Sequence, residues 1–303
     1  MTAGPLHIWL MAARPRTLPA AIAPVLVGTA AAMHEVERLG GERFGDLRID
    51  VLIAALAGSV LIQIGTNLAN DYSDAKRGTD SADRLGPVRV TATGLATPRR
   101  VLHATWTAFA MALAVGVYLT IEVGPEMLAI GAVSILAGVL YTGGPRPYGY
   151  EGLGEIFVFL FFGLVAVNGS YYVQLEQIDG LAVLLSVGVG LISAAILIVN
   201  NIRDIETDRR AGKNTLAVRL GRERTRVLYA ATLAAAYLLL PLALLFDDAG
   251  WAIAGVLTAP LAIAPLRAVR RRTDGPALND ALAGTGVLLF AYSLVISIAL
   301  VLA

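Results

Sequence analysis

Nine stretches of this chain carry no Asp, Glu, Lys or Arg: 17–33, 51–70, 101–121, 127–145, 156–175, 180–202, 227–246, 249–266 and 281–303. Each comes close to the roughly 20 residues that an α-helix needs to cross the hydrocarbon core of a bilayer. One charge at the centre of such a helix costs about 2.5–3.5 kcal/mol on insertion scales. Nine clean windows in 303 residues are therefore what a membrane imposes. A soluble helical protein would instead show a charged face at every turn or two. The expected fold is all-α and polytopic, with nine transmembrane helices around a central cavity. No Pro/Gly/Ser linker divides the chain, so residues 1–303 read as a single domain.

The loops set an orientation. Of the 24 Lys and Arg, 21 fall on the side that holds the N-terminus when loops are assigned alternately, and only Arg38, Arg43 and Arg48 fall on the other. Positive residues collect on the cytoplasmic side. The N-terminus and the two long charged loops, near 70–100 and 200–226, are thus expected in the cytoplasm, and the plasma membrane is the expected location. Arg14 and Arg16 precede the first window, but no cleavage site ends it, so it reads as a retained span rather than a signal peptide. The absence of cysteine excludes disulfides and thiolate metal sites. A formal net charge of +1 identifies no partner, and no nucleic acid is expected.

The chemistry lies in those two loops. Asn67, Asn70, Asp71 and Asp74 end the second window, and Asn200, Asn201, Asp204 and Asp208 end the sixth. Spacings of three and four residues place such side chains on one helix face. Asn67-x3-Asp71 is echoed by Asn200-x3-Asp204, each followed by a further Asp and a glycine-containing basic turn, with Asp80 close by. Aspartates gathered at one membrane face repel one another unless they hold cations. Mg²⁺ suits them, being an oxygen-seeking ion held by a few carboxylates and ligand phosphates. The expected metal ligands are Asp71, Asp74, Asp204 and Asp208. Arg84, Arg89, Arg203 and Lys213 supply the cationic groups that a diphosphate needs. A third segment, Tyr141 to Glu155, places Tyr141, Arg146 and Tyr148 in a Gly/Pro-rich turn. Aromatic faces stabilise cations, and Arg146 would hold an acidic acceptor. Asn168, deep in the fifth window, reads either as a site residue or as a helix–helix contact.

These segments resemble the paired aspartate motifs of the UbiA superfamily of intramembrane prenyltransferases. Within it, NLANDYSDAKRGTDSADRLGPVR, YTGGPRPYGYEGLGE, NNIRDIETDRRAGKNTLAVRLG and RPRTLPAAIAPVLVG are similar to the 1,4-dihydroxy-2-naphthoate polyprenyltransferases of menaquinone synthesis. The superfamily pattern NDxxDxxxD would place its last Asp at position 78, where this chain has Gly78, with Asp80 two residues on. The naphthoate branch is similar in this respect. The resemblance implies Mg²⁺-dependent transfer of a polyprenyl group from its diphosphate to a dihydroxynaphthoate, with loss of CO₂. Asp71, Asp74, Asp204, Asp208, Tyr141 and Arg146 would be catalytic. Asn67, Asn70, Asp80, Arg84, Arg89, Tyr148, Asn201, Arg203 and Lys213 would bind substrate. A different phenolic acid, such as 4-hydroxybenzoate, is the alternative acceptor. An ion-coupled transporter is the alternative of another class, although transporter sites sit nearer the midplane. Prenyl chain length and oligomeric state are not legible in the sequence.

Overall fold

The structure is a computed structural model that describes residues 4–42, 44–79, 85–246 and 248–302. Asp80 and Arg84 lie outside the described residues. Among those described there are helices and turns but no strand. A short α1 (Pro5–Ala13) precedes α2 (Pro19–Arg38), α3 (Ile49–Arg77), α4 (Pro98–Glu122), α5 (Glu126–Leu140), α6 (Gly154–Leu175) and α7 (Gly180–Arg210). A single turn, α8 (Leu216–Leu220), leads to α9 (Arg222–Leu245), α10 (Ala249–Arg271) and α11 (Gly275–Leu302).

Local chemistry marks the ends. Pro19 and Pro98 stand at first-turn positions, where a missing N–H costs nothing. Pro19 therefore starts α2 rather than bending it, while Pro24 is buried inside the helix. The Thr97 and Asp179 side chains accept from the Arg100 and Leu181 amides at the starts of α4 and α7. Gly78 closes α3 in the left-handed region, at φ 67°.

Among the described residues, eight helices are long and apolar enough to cross a membrane. The fourth apolar window yields only the 15 residues of α5. Its last five residues join a turn in which Gly144 takes φ 77° and Pro145 and Pro147 prevent helix continuation. The core is built on α7 and α11, where Ile192, Val199, Leu288 and Ile296 are fully enclosed. Two buried hydroxyls pair there, those of Tyr229 and Thr285, at 2.8 Å. On the outside, Trp106, Ile121, Val133, Leu238 and Leu257 are exposed, an apolar surface suited to lipid. The helix α1 was not anticipated from the sequence, because its nine residues are too few for a span. Its Ala12 packs with Leu68 of α3 and with Val90 and Ala96 of the loop that follows α3.

Candidate active site

One face of α3 and one face of α7 meet across a cavity of about 370 Å³. Gly58, Ile62, Thr66, Asn70 and Asp74 line it from α3, and Ser193, Leu197, Asn200, Asp204 and Asp208 from α7. Steps of three and four residues keep each set on one stripe. Both stripes change from apolar to acidic at the same end of the bundle. The structural repeat is thus Asn70-x3-Asp74 against Asn200-x3-Asp204, three residues out of register with the echo expected from sequence. Gly78 then occupies the position corresponding to Asp208.

Asp74 is the focus of the acidic end. It is almost fully buried and accepts from Arg89 Nη2 at 3.0 Å and from Lys213 Nζ at 3.3 Å. The Tyr150 hydroxyl also donates to it. Burial, and then the charge of Asp74, raises the Tyr150 phenol above its ordinary pKa, so it remains a neutral donor. Lys213 stands 4.6 Å over the Tyr150 ring. On the opposite wall, Asp204 is held by its neighbour Arg203, through Nε at 2.8 Å and Nη2 at 2.6 Å. Arg203 also bonds Asn279 and Asn200 and is 2% exposed. It was expected to touch phosphate but does not line the cavity, because its guanidinium is taken up inside the bundle.

Asp71 differs most from expectation. One residue beyond Asn70, it is turned about 100° around the helix and is absent from the cavity wall. Its two oxygens accept the Val90 and Thr91 amides, each at 3.0 Å. Three amides are placed by neighbours: Asn67 donates to the Ala13 carbonyl and Thr17, Asn70 accepts from Thr142, and Asn201 donates to Glu155 at 2.8 Å.

The loop after α5 forms an aromatic wall. Tyr148 stacks on Phe157 with centroids 3.9 Å apart and meets Tyr141 edge-on at 5.5 Å. All three line the cavity, and burial pushes the Tyr141 and Tyr148 phenols upward, so they too stay neutral. Arg146 sits exposed at the tip of the same turn, away from the cavity wall. Its charge stays in solvent while the tyrosines beside it turn inward. Asn168 donates to the Leu164 carbonyl of its own helix, 2.8 Å away, and makes neither expected contact. Sequence reasoning also missed Tyr150 and Glu155. A lone carboxylate at the start of an apolar span was the available signal for Glu155. Tyr150 had none to separate it from its neighbours.

The far half of the cavity is apolar, reaching Ala55, Leu119, Met127 and Val173. Ala55 precedes Asp74 by 19 residues of helix, about 28 Å at 1.5 Å per residue. Its depth thus suits a long hydrocarbon, while Arg89 and Lys213, on the wall of the acidic end, are the groups that attract an anion. The family model of the UbiA prenyltransferase family matches residues 21–294. The chain belongs to that family. It is similar to the 1,4-dihydroxy-2-naphthoate octaprenyltransferase of Mycobacterium tuberculosis, at 44% identity over 96% of both chains. It is also similar to the Escherichia coli protein of the same name, at 38% identity over 91% of this chain and 89% of that one. Its fold matches a UbiA homolog from Archaeoglobus fulgidus bound to GPP and Mg²⁺, with TM-score 0.66, 15% identity and coverage of 98% and 100%. This prenyltransferase is an integral, multi-pass membrane protein.

Among the described residues, no group of three His, Cys, Asp or Glu could hold a metal by itself. Mg²⁺ does not need one, since it is usually bound by one or two carboxylates together with waters and substrate phosphates. Asp74 on one wall, with Asp204 and Asp208 on the other, fits that divided arrangement.

Proposed function

We infer that this enzyme transfers a polyprenyl group from polyprenyl diphosphate to 1,4-dihydroxy-2-naphthoate, releasing diphosphate and CO₂ and giving demethylmenaquinol. The observation that carries the reading is the pair of stripes on α3 and α7, acidic at one end and apolar beyond. Relatives named for this reaction, matching nearly the whole chain, supply the acceptor. The aspartates end long helices, which separates this site from the midplane site of a transporter.

Asp74, Asp204 and Asp208 would hold Mg²⁺ jointly with the diphosphate. Bound there, the metal would neutralise charge on the leaving group. Asn70 and Asn201 orient the acidic stripes through Thr142 and Glu155. Lys213 and Arg89 add fixed positive charge beside Asp74, where charge develops as the C–O bond breaks. The bonding pair leaves with diphosphate. The resulting allylic cation lies against the faces of Tyr141, Tyr148 and Phe157, which stabilise it. The carboxylated ring carbon attacks the cation, and loss of CO₂ returns its bonding pair to the ring. The apolar cavity keeps water from capturing the cation. The acidic end opens to the cytoplasm of a plasma-membrane protein, with α5 as a ninth, short span and the whole chain acting as one domain.

The test is a side-by-side assay in proteoliposomes with Mg²⁺, a polyprenyl diphosphate and either dihydroxynaphthoate or 4-hydroxybenzoate. Product is expected with the naphthoate, and chelation of the metal should abolish it. Preference for 4-hydroxybenzoate would overturn the acceptor assignment. Absence of diphosphate release with either acceptor would overturn the reaction.

A further inference from the structure

We propose that Asp71 serves this reaction as a positioning residue, latching the loop after α3 so that Arg89 stands against Asp74, and that it is not a metal ligand. The inference rests on the prenyl-transfer reading above. Asp71 is 2% exposed and does not line the cavity. Its carboxylate receives two consecutive backbone amides, from Val90 and Thr91, one on each oxygen. Hydrogen bonds to an ionised acceptor are about twice as strong as neutral ones. Two on adjacent amides fix both the position and the direction of the peptide they belong to.

The rest of the loop is built around that anchor. The Ala96 amide donates to the Val90 carbonyl at 3.0 Å, and the Thr93 amide and hydroxyl both donate to the Arg89 carbonyl. Val90 is fully enclosed between α3 and α4, against Leu68 and Val101. With residues 90 and 91 tied to α3, Arg89 is directed one turn further along the same helix, where its Nη2 meets Asp74 at 3.0 Å. Asp71 and Asp74 are three residues apart, so one helix carries both the latch and the carboxylate to which the latched loop delivers its cation. An aspartate that looks like a metal ligand in the motif thus does its work through backbone N–H groups.

The experiment compares the wild-type protein with Asp71→Asn, Asp74→Asn, Arg89→Ala and the Asp71→Asn/Arg89→Ala double variant. Mn²⁺ binding in the presence of inorganic diphosphate is read by EPR, and KM for the polyprenyl diphosphate by kinetics. Asp71→Asn should bind Mn²⁺ as the wild type does, while its donor KM rises about tenfold, the size expected for one lost charge-assisted hydrogen bond. Asp74→Asn should lose metal affinity. The double variant should be no worse in KM than Arg89→Ala alone. Loss of Mn²⁺ affinity in Asp71→Asn, an unchanged KM, or additive effects in the double variant would each overturn the latch. Hydrogen exchange of the wild-type protein tests it without any variant, because unprotected Val90 and Thr91 amides would also refute it. Failure of the wild type to bind Mn²⁺–diphosphate would instead sink the prenyl-transfer reading.

Discussion

Asp74 gathers two cations and a phenol around one carboxylate with almost no access to water. Removing one partner of such a buried pair leaves the other charge uncompensated, at about 3–5 kcal/mol. Asp74→Ala should therefore cost stability as well as turnover. Asp74→Asn, Asp204→Asn and Asp208→Asn should each lower kcat/KM by about a hundredfold or more, the scale seen when a group that stabilises developing charge is removed. Steady-state assays at saturating Mg²⁺ check this, and near-wild-type activity in any of the three would remove that residue from the metal site. The aromatic wall makes a milder prediction. Tyr148→Phe keeps the ring and should retain most activity, whereas Tyr148→Leu should lower kcat about tenfold, equivalent to one desolvated cation–π contact, with donor KM little changed. The aspartates themselves were legible in the sequence, because acidic groups clustered where a charge-free window ends stand out against the apolar run before them. Which of them faces the cavity was not legible. Asn70 and Asp71 satisfy the same three-and-four spacing, and the choice is made by a loop some 20 residues further on, whose amides claim Asp71. The charge of Arg146 suggests a site residue, yet the turn tip exposes this long polar side chain and leaves the tyrosine rings half-buried.

At the scale of elements, α6 and α7 approach so closely that glycine is required where they cross. A Cβ on Gly163 would lie 2.6 Å from both the Gly190 Cα and the Ser186 carbonyl oxygen. Both are backbone atoms, so the helices would have to separate. Gly163→Ala should cost about 1–3 kcal/mol, as overpacking does, and lower the melting temperature in detergent. Gly169, on the same helix, meets nothing within 4 Å. There alanine gains helix propensity of about 0.8–1.0 kcal/mol, so Gly169→Ala should melt at or above the wild-type temperature. Equal losses at both positions would contradict the packing. Helix positions were readable from charge-free windows because lipid tolerates so few charges. The length of α5 was misread for a related reason, since its window ran on through uncharged Gly and Pro that cannot extend a helix. α1 escaped notice because hydropathy marks spans, and nine residues held against the loop after α3 do not make one.

For the whole molecule, the distribution of Lys and Arg predicts that the acidic end of both stripes faces the cytoplasm. The chain has no cysteine, so single introduced thiols report sidedness directly. Lys76→Cys, exposed at the acidic end of α3, should escape a membrane-impermeant maleimide in intact cells and react once they are broken. Leu39→Cys, 65% exposed at the opposite end of the bundle, should react in intact cells. The reverse pattern would invert the topology. On the function proposed above, the two stripes form one site for ionising a prenyl diphosphate and prenylating a carboxylated ring. Purified protein in proteoliposomes, given carboxyl-labelled dihydroxynaphthoate, Mg²⁺ and polyprenyl diphosphate, tests this. Diphosphate, CO₂ and prenylated product should appear in equal amounts, and all three should vanish together in Asp74→Asn and in Asp204→Asn. Product that retains the carboxyl label, or turnover that survives loss of either stripe's aspartate, would contradict it.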